Sequence, residues 1–492
     1  MLKNILKQLT GYALSEKNKY IIVYLISLSF VAFNAYLITK DIYWGLLLPV
    51  LIVIGMFYIY SLDKILLIIT FLTPLAINFR DYDIDVGVSL PTEPMMLGVL
   101  LLFIFKLFYD NQFDRKVTFH RVSIAIFIYL FWILITSITS ELPLVSFKFF
   151  FSRLWFIVPF YFIGTQLFRK ISTIKLFSWL YIIPLLIVIA YTIIQHSSYG
   201  FDEKSGHFVM TPFYNDHTAY GAALAMFVPV VVGFIFNKQY QKKQRIISFF
   251  VLVVLLIALT LSFCRAAWIS LIFAFGVYIL IILKIKFKWI AFSVISIIGL
   301  FFAFQWQILD ALEKNKQDSS ANFVEHIQSI TNISSDASNL ERINRWQSAL
   351  RMYNERPFLG WGPGTYQFVY APFQRSKEKT IISTNAGDMG NAHSEYIGPL
   401  AETGFIGMLT VFGILITVVY SGLNVYKKAK SREIKLISLV TLLALITYYF
   451  HGIMNNFLDT DKAAVPFWGF IAIIVALDIY HNEEEKNSVI KS

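Results

Sequence analysis

VLVVLLIALTLSFCRAAWISLIFAFGVYILII, residues 251–282, places a single charge, Arg265, between two apolar runs. Each run approaches the ~20 residues that cross a hydrocarbon core as an α-helix. Only the few residues around Ser262 to Arg265 separate them, so the stretch reads as a helical hairpin with Arg265 at its tip. The apolar residues are continuous, not alternating, which excludes the strands of a membrane β-barrel. An all-α polytopic membrane protein follows if the pattern recurs along the chain.

It does recur. Of the 492 residues, 57% are hydrophobic and 15% charged, less charge than a soluble surface of this size carries. Candidate spans fall at roughly 20–38, 43–60, 64–79, 95–109, 122–140, 148–167, 174–194, 217–236, 246–263, 266–284, 288–306, 396–420, 434–451 and 463–480. The expectation is therefore about 12–14 transmembrane helices with one large extracytoplasmic loop. The chain divides into N-terminal helices (1–216), helices carrying the Arg265 turn (217–306), the loop (307–393), and C-terminal helices with a tail (394–492). The basic leader before the first run lacks a small-residue cleavage site and reads as a retained signal anchor.

The formal charge of +11 belongs to this topology and does not signal nucleic acid. With the N-terminus in the cytoplasm, basic clusters such as Arg169/Lys170/Lys175, Lys238/Lys242/Lys243/Arg245 and Lys427/Lys428/Lys430/Arg432/Lys435 fall inside. Acidic connections at Asp81/Asp83/Asp85, Asp202/Glu203 and Asp459/Asp461 fall outside, together with Arg265 and the long polar segment. The C-terminus returns to the cytoplasm. No Walker-type G-x-x-x-x-G-K is present, which argues against ATP-driven transport in this chain. The single cysteine, Cys264, excludes an internal disulfide and a cysteine metal cage. D-x-D-x-D at residues 81–85 departs from the EF-hand loop because Val86 stands where the turn needs glycine, so a solvated acidic loop is expected.

In the long segment, Ile343, Trp346, Leu350 and Tyr353 recur at helical spacing and predict an amphipathic helix over about 339–355, stopped by Pro357. Gly360 to Gly364 force a tight turn, and RSKEKTIISTNAGDMGN reads as a mobile loop. His393 follows at the start of the next span. A helix start lowers the pKa of an imidazole and favours the neutral base, with Glu395 and Glu402 nearby to orient it. The plain alternative is an interfacial histidine that caps a helix. Arg265 suits phosphate oxygens, or else snorkels to lipid headgroups. Arg342 and Arg345 read either as phosphate ligands or as the polar side of the amphipathic helix. Arg153 is a further intramembrane charge, expected to face a cavity instead of lipid. His217 reads as a helix-end residue with a supporting role at most, and His451 likewise as an interface residue.

Four stretches in order resemble the O-antigen ligase and polymerase superfamily: NDHTAYGAALAMFVP (215–229), LSFCRAAWISL (261–271), ERINRWQSALRMYNERPFLGWGPGTYQF (341–368) and NAHSEYIGPLAETGFIG (391–407). The third carries Arg342-x-x-x-Trp346 followed by P-x-x-G-x-G; Cys264 interrupts the usual S-R pair of the second. The resemblance implies a GT-C-like glycosyltransferase of a bacterial cytoplasmic (inner) membrane, acting on the periplasmic face. It implies a glycan donor on undecaprenyl diphosphate, held by Arg265 and Arg342, and His393 activating the acceptor hydroxyl. No metal or cofactor is expected. The acceptor implied is lipid A–core for a ligase, a lipid-linked repeat for a polymerase, or a protein hydroxyl for an O-oligosaccharyltransferase. A lipid-linked glycan transporter is the alternative of another class, and it predicts internal repeats and midplane charges.

Overall fold

The computed structural model describes residues 16–41, 43–47, 52, 55, 61–78, 88–110, 113–285, 337–380, 383 and 390–481. The expected span at 288–306, most of that at 43–60, the Asp81/Asp83/Asp85 loop and half of the 375–390 loop lie outside them. Among the described residues the protein is helical, apart from one pair of two-residue strands. The chain forms two compact units, residues 1–65 and 66–492. The first contains α1 (Glu16–Ile38), whose apolar run has no glycine or proline to break it.

The stretch at 64–79 is not one helix. α2 (Leu62–Leu72) is 11 residues long, about 16 Å, and stops before Pro74. The chain then makes β1 (Ile77–Asn78), which pairs antiparallel with β2 (Ser89–Leu90) ahead of α3 (Thr92–Asp110). Next come α4 (Arg121–Ile138), α5 (Pro143–Leu167), α6 (Ile171–Ser198), α7 (His217–Phe236), α8 (Lys242–Leu261) and α9 (Arg265–Ile282). α10 (Ala337–Glu355) is the polar helix of the long segment. α11 (Ile397–Lys428), α12 (Arg432–His451) and α13 (Asp461–His481) close the chain. Nine helices among the described residues, α4–α9 and α11–α13, are long and apolar enough to cross a membrane.

Burial sorts these nine. For α13, 89% of the apolar stretch is buried, against 17% for α9, so α13 is the core of the bundle and α9 its rim. α12 packs on α7, α9, α11 and α13, and α4 packs along α11. The antiparallel order gathers the helix ends into two sets. One end is basic. There His120 and Arg121 meet Asp478, Arg169 meets Asp114, and Lys175 meets Glu433 at 2.5 Å. The opposite end carries the connections at 139–142, 199–216, 262–264 and 452–460, together with α10. Every candidate residue of the sequence reading lies at or near this second end.

Candidate active site

α10 is fastened by its C-terminal turn. Trp361 N–H donates to Ala401 O (3.2 Å), Gly362 N–H to Glu402 O (2.7 Å), and Phe405 N–H to Pro357 O (2.9 Å). α11 accommodates this by breaking at Gly404, where φ is +72° and ψ −174°, a region essentially restricted to glycine. On its other side the turn is held by the α4–α5 connection. Glu141 N–H donates to Trp361 O (3.0 Å), and Ser146 Oγ donates to Pro363 O (2.9 Å). The P-x-x-G-x-G stretch and the E-x-G stretch are thus two halves of one clasp.

The face that α10 buries differs from the apolar stripe expected. Glu341, Asn344, Arg345, Ser348, Ala349 and Met352 are buried, while Ile343 and Leu350 are exposed. Satisfied polar pairing outweighs apolar periodicity here. Glu341 accepts from Arg345 (2.8 Å), Thr380 and Ser383; Asn344 reaches Gln374 (2.9 Å); Tyr366 Oη donates to Arg345 O (2.8 Å). Beneath them lies a small core of Ala349, Met352, Tyr366, Tyr370, Ala392 and Ala401. The rings of Tyr366 and Tyr370 stack there at 5.1 Å.

This docking brings Arg342 to the segment that precedes α11. His393 is half-buried, has a left-handed backbone (φ +48°) and donates its N–H to Asn391 Oδ1 at 3.0 Å. Burial, then Arg345 and Arg342, push its imidazole down to about 4, against the opposing pull of Asp216 and Glu341. The ring is therefore a neutral base around pH 7. Asp216 caps α7, with Oδ1 accepting from Thr218 N–H (2.7 Å) and Ala219 N–H (2.8 Å). The Cys264 turn lies within electrostatic reach of both Asp216 and Arg342. Gly221 makes that possible, because a Cβ there would stand 2.6 Å from Cys264 Cβ. Arg265 opens α9 from this turn, one-quarter exposed, with Nη2 4.0 Å from Glu203. His217 stacks on His207 at 4.2 Å beside Asp216.

The structure thus gathers Arg342, His393, Asp216 and the Arg265 turn, with His217 at the edge. Arg345 is close to His393 but committed to Glu341 and Asn391 O (3.1 Å), and it lies over the Tyr370 ring. Glu395 does not face His393. Its Oε1 accepts from Tyr448 Oη (2.6 Å), Phe457 N–H (2.9 Å) and Leu458 N–H (3.0 Å). Burial, then Asp459, raises its pKa. Glu402 accepts from Tyr366 N–H at 3.0 Å instead of touching the imidazole. Arg153 joins the Glu395 side, bound to Asp459 and to Leu458 O.

Two residues near the site were not among the sequence candidates for chemistry. Asp216 had a legible signal, a carboxylate immediately before an apolar helix, which is a cap position. His451 ends α12 within electrostatic reach of Asp216, His217 and Arg342, and only the tertiary fold brings it there.

Residues 250–412 match the family model of Wzy_C, the O-antigen ligases; the match covers about a third of the chain. It contains Arg265, Arg342, Arg345, His393 and both halves of the clasp. Over these residues the chain is similar to the O-antigen ligases, in agreement with the resemblance read from the sequence. No curated protein matches the chain significantly.

Proposed function

We propose that this protein transfers a glycan from undecaprenyl diphosphate to an acceptor hydroxyl at the end of the bundle that carries α10. The observation that carries the reading is the convergence of a neutral His393 with Arg342, Asp216 and the Arg265 turn. The positive-inside rule assigns the basic end to the cytoplasm, so the site opens on the periplasmic side of the inner membrane.

In this reading, Arg265 and Arg342 hold the diphosphate and neutralise the charge that grows on it as the anomeric carbon–oxygen bond breaks. His393 accepts the proton of the acceptor hydroxyl as its oxygen attacks that carbon. Asp216 stabilises the imidazolium that forms. The diphosphate leaves on the face opposite the attack, so one displacement inverts the anomeric centre. The leaving group is already activated, and ATP is not consumed.

Lipid A–core is the acceptor of the ligase reading. The test is transfer by purified protein from a lipid-linked glycan to lipid A–core without ATP. Glycan on lipid A–core supports the ligase. Elongation of the lipid-linked glycan alone would assign a polymerase, and glycan movement across vesicles with no new glycosidic bond would remove the transferase reading.

A further inference from the structure

The segment His393–Tyr396 contributes to two places: His393 stands with the arginines, while Glu395 and Tyr396 line a cavity of about 80 Å³ together with Arg153, Glu402, Tyr449, Trp468 and mostly apolar neighbours. At ~10–15 Å³ per water it holds roughly half a dozen waters, the space that one sugar unit displaces.

Charge and donor inventory decide what it takes. Arg153 is already neutralised by Asp459. Glu395 and Glu402 add two further carboxyls on the wall, and no lysine lines it. A diphosphate is disfavoured there. Three buried donors on the wall, Arg153 Nε, Tyr449 Oη and Trp468 Nε1, have no partner among the described residues. Arginine and indole nitrogens only donate, so the complement must offer oxygen acceptors without net negative charge. The carboxyls of Glu395 and Glu402 can in turn accept from hydroxyl groups, and the rings of Trp468, Tyr396 and Tyr449 offer apolar walls. Val411 and Ile414 are among its apolar lining.

We infer that this cavity is a subsite for a neutral sugar unit of a glycan substrate, reached by the segment that follows His393 through Glu395 and Tyr396. Its role rests on the transferase reading; its binding does not. The full-length protein in nanodiscs is titrated with glucose, galactose, rhamnose and N-acetylglucosamine, followed by saturation-transfer NMR, with inorganic pyrophosphate as the anionic comparison. At least one sugar is expected to bind saturably. Tyr449→Phe and Val411→Phe should weaken that binding at least threefold, and Arg265→Ala should leave it unchanged. Tyr449→Phe removes a hydroxyl without a protein partner, so its Tm should equal or exceed that of the parent, which separates lost binding from lost folding. In transfer assays Val411→Phe should raise KM for the substrate whose sugar occupies the cavity, acceptor or donor. Absence of saturable sugar binding, binding indifferent to both variants, or pyrophosphate binding that survives Arg265→Ala but not Val411→Phe would overturn the subsite.

Discussion

Gly404 lies so close to Phe358 that a Cβ on it would stand 2.1 Å from the Phe358 carbonyl oxygen. That contact, together with the positive φ, makes the clasp between the α10 turn and α11 depend on the absence of a side chain at 404. Gly404→Ala should destabilise the clasp by at least the ~1–3 kcal/mol of a disallowed backbone conformation. The expected outcome is a lower Tm in detergent and faster proteolysis after α10; a variant as protease-resistant as the parent would contradict the clasp.

His393 offers a clean separation of backbone from chemistry. Its left-handed conformation is one that asparagine also tolerates. His393→Asn should therefore fold and insert like the parent while transfer falls about 10²–10⁴-fold, the usual worth of a general base. Retained transfer in a folded His393→Asn protein would remove the imidazole from the mechanism.

The same residue sets a pH dependence. Its folded-state pKa, about 4, lies below the 6.5 of a free imidazole, so the unfolded chain binds more protons between these values. Stability from neutral His393 is fully present above pH 6.5 and declines as pH falls towards 4. Thermal unfolding from pH 7 to 4 should show a smaller acid loss in His393→Asn than in the parent. Equal losses would mean that the ring is not held neutral.

The arginines are expected to act through shape as well as charge. Lysine keeps the charge but loses the planar fork that matches phosphate oxygens. Arg265→Lys and Arg342→Lys should each weaken donor binding by about tenfold, with Arg→Ala worse at both positions. Lipid-linked donor binding, measured without acceptor, checks this; lysine variants that bind as tightly as the parent would reduce the role to bulk charge.

Glu395 anchors structure, and its loss should appear first in stability. Glu395→Ala leaves the Leu458 N–H and Tyr448 Oη without their acceptor and the Phe457 N–H with Tyr448 Oη alone (3.1 Å). At ~1–3 kcal/mol for each unsatisfied buried group, the variant should be among the least stable single substitutions at this end of the bundle. Comparison of its Tm with that of His393→Asn is the check.

Much of this was legible in the chain. The apolar runs around Arg265 gave the hairpin, the basic clusters gave the shared end, and the ordered stretches around Arg342 and His393 gave the resemblance that the family model repeats over residues 250–412. What failed was local and polar. The face of α10 was assigned from Ile343 and Leu350, but Glu341, Asn344 and Arg345 are buried because residues 374, 380 and 383 return to satisfy them. Glu395 looked like a partner of His393 by proximity in sequence, yet the segment between them is not helical and Glu395 is taken up by Tyr448, Phe457 and Leu458. Asp216 stands some 180 residues before His393, and no local pattern announces their meeting.

Among the described residues α9 is the least buried of the nine apolar helices, and Arg265 is its first residue. If Arg265 holds the donor as proposed, the donor is bound at the rim of the bundle, beside the bilayer. A substrate anchored by a long hydrocarbon tail can then reach it by lateral diffusion, without leaving the membrane. Its effective concentration is counted per area of bilayer, and dilution of the lipid phase, not of the buffer, should govern how often the site is filled.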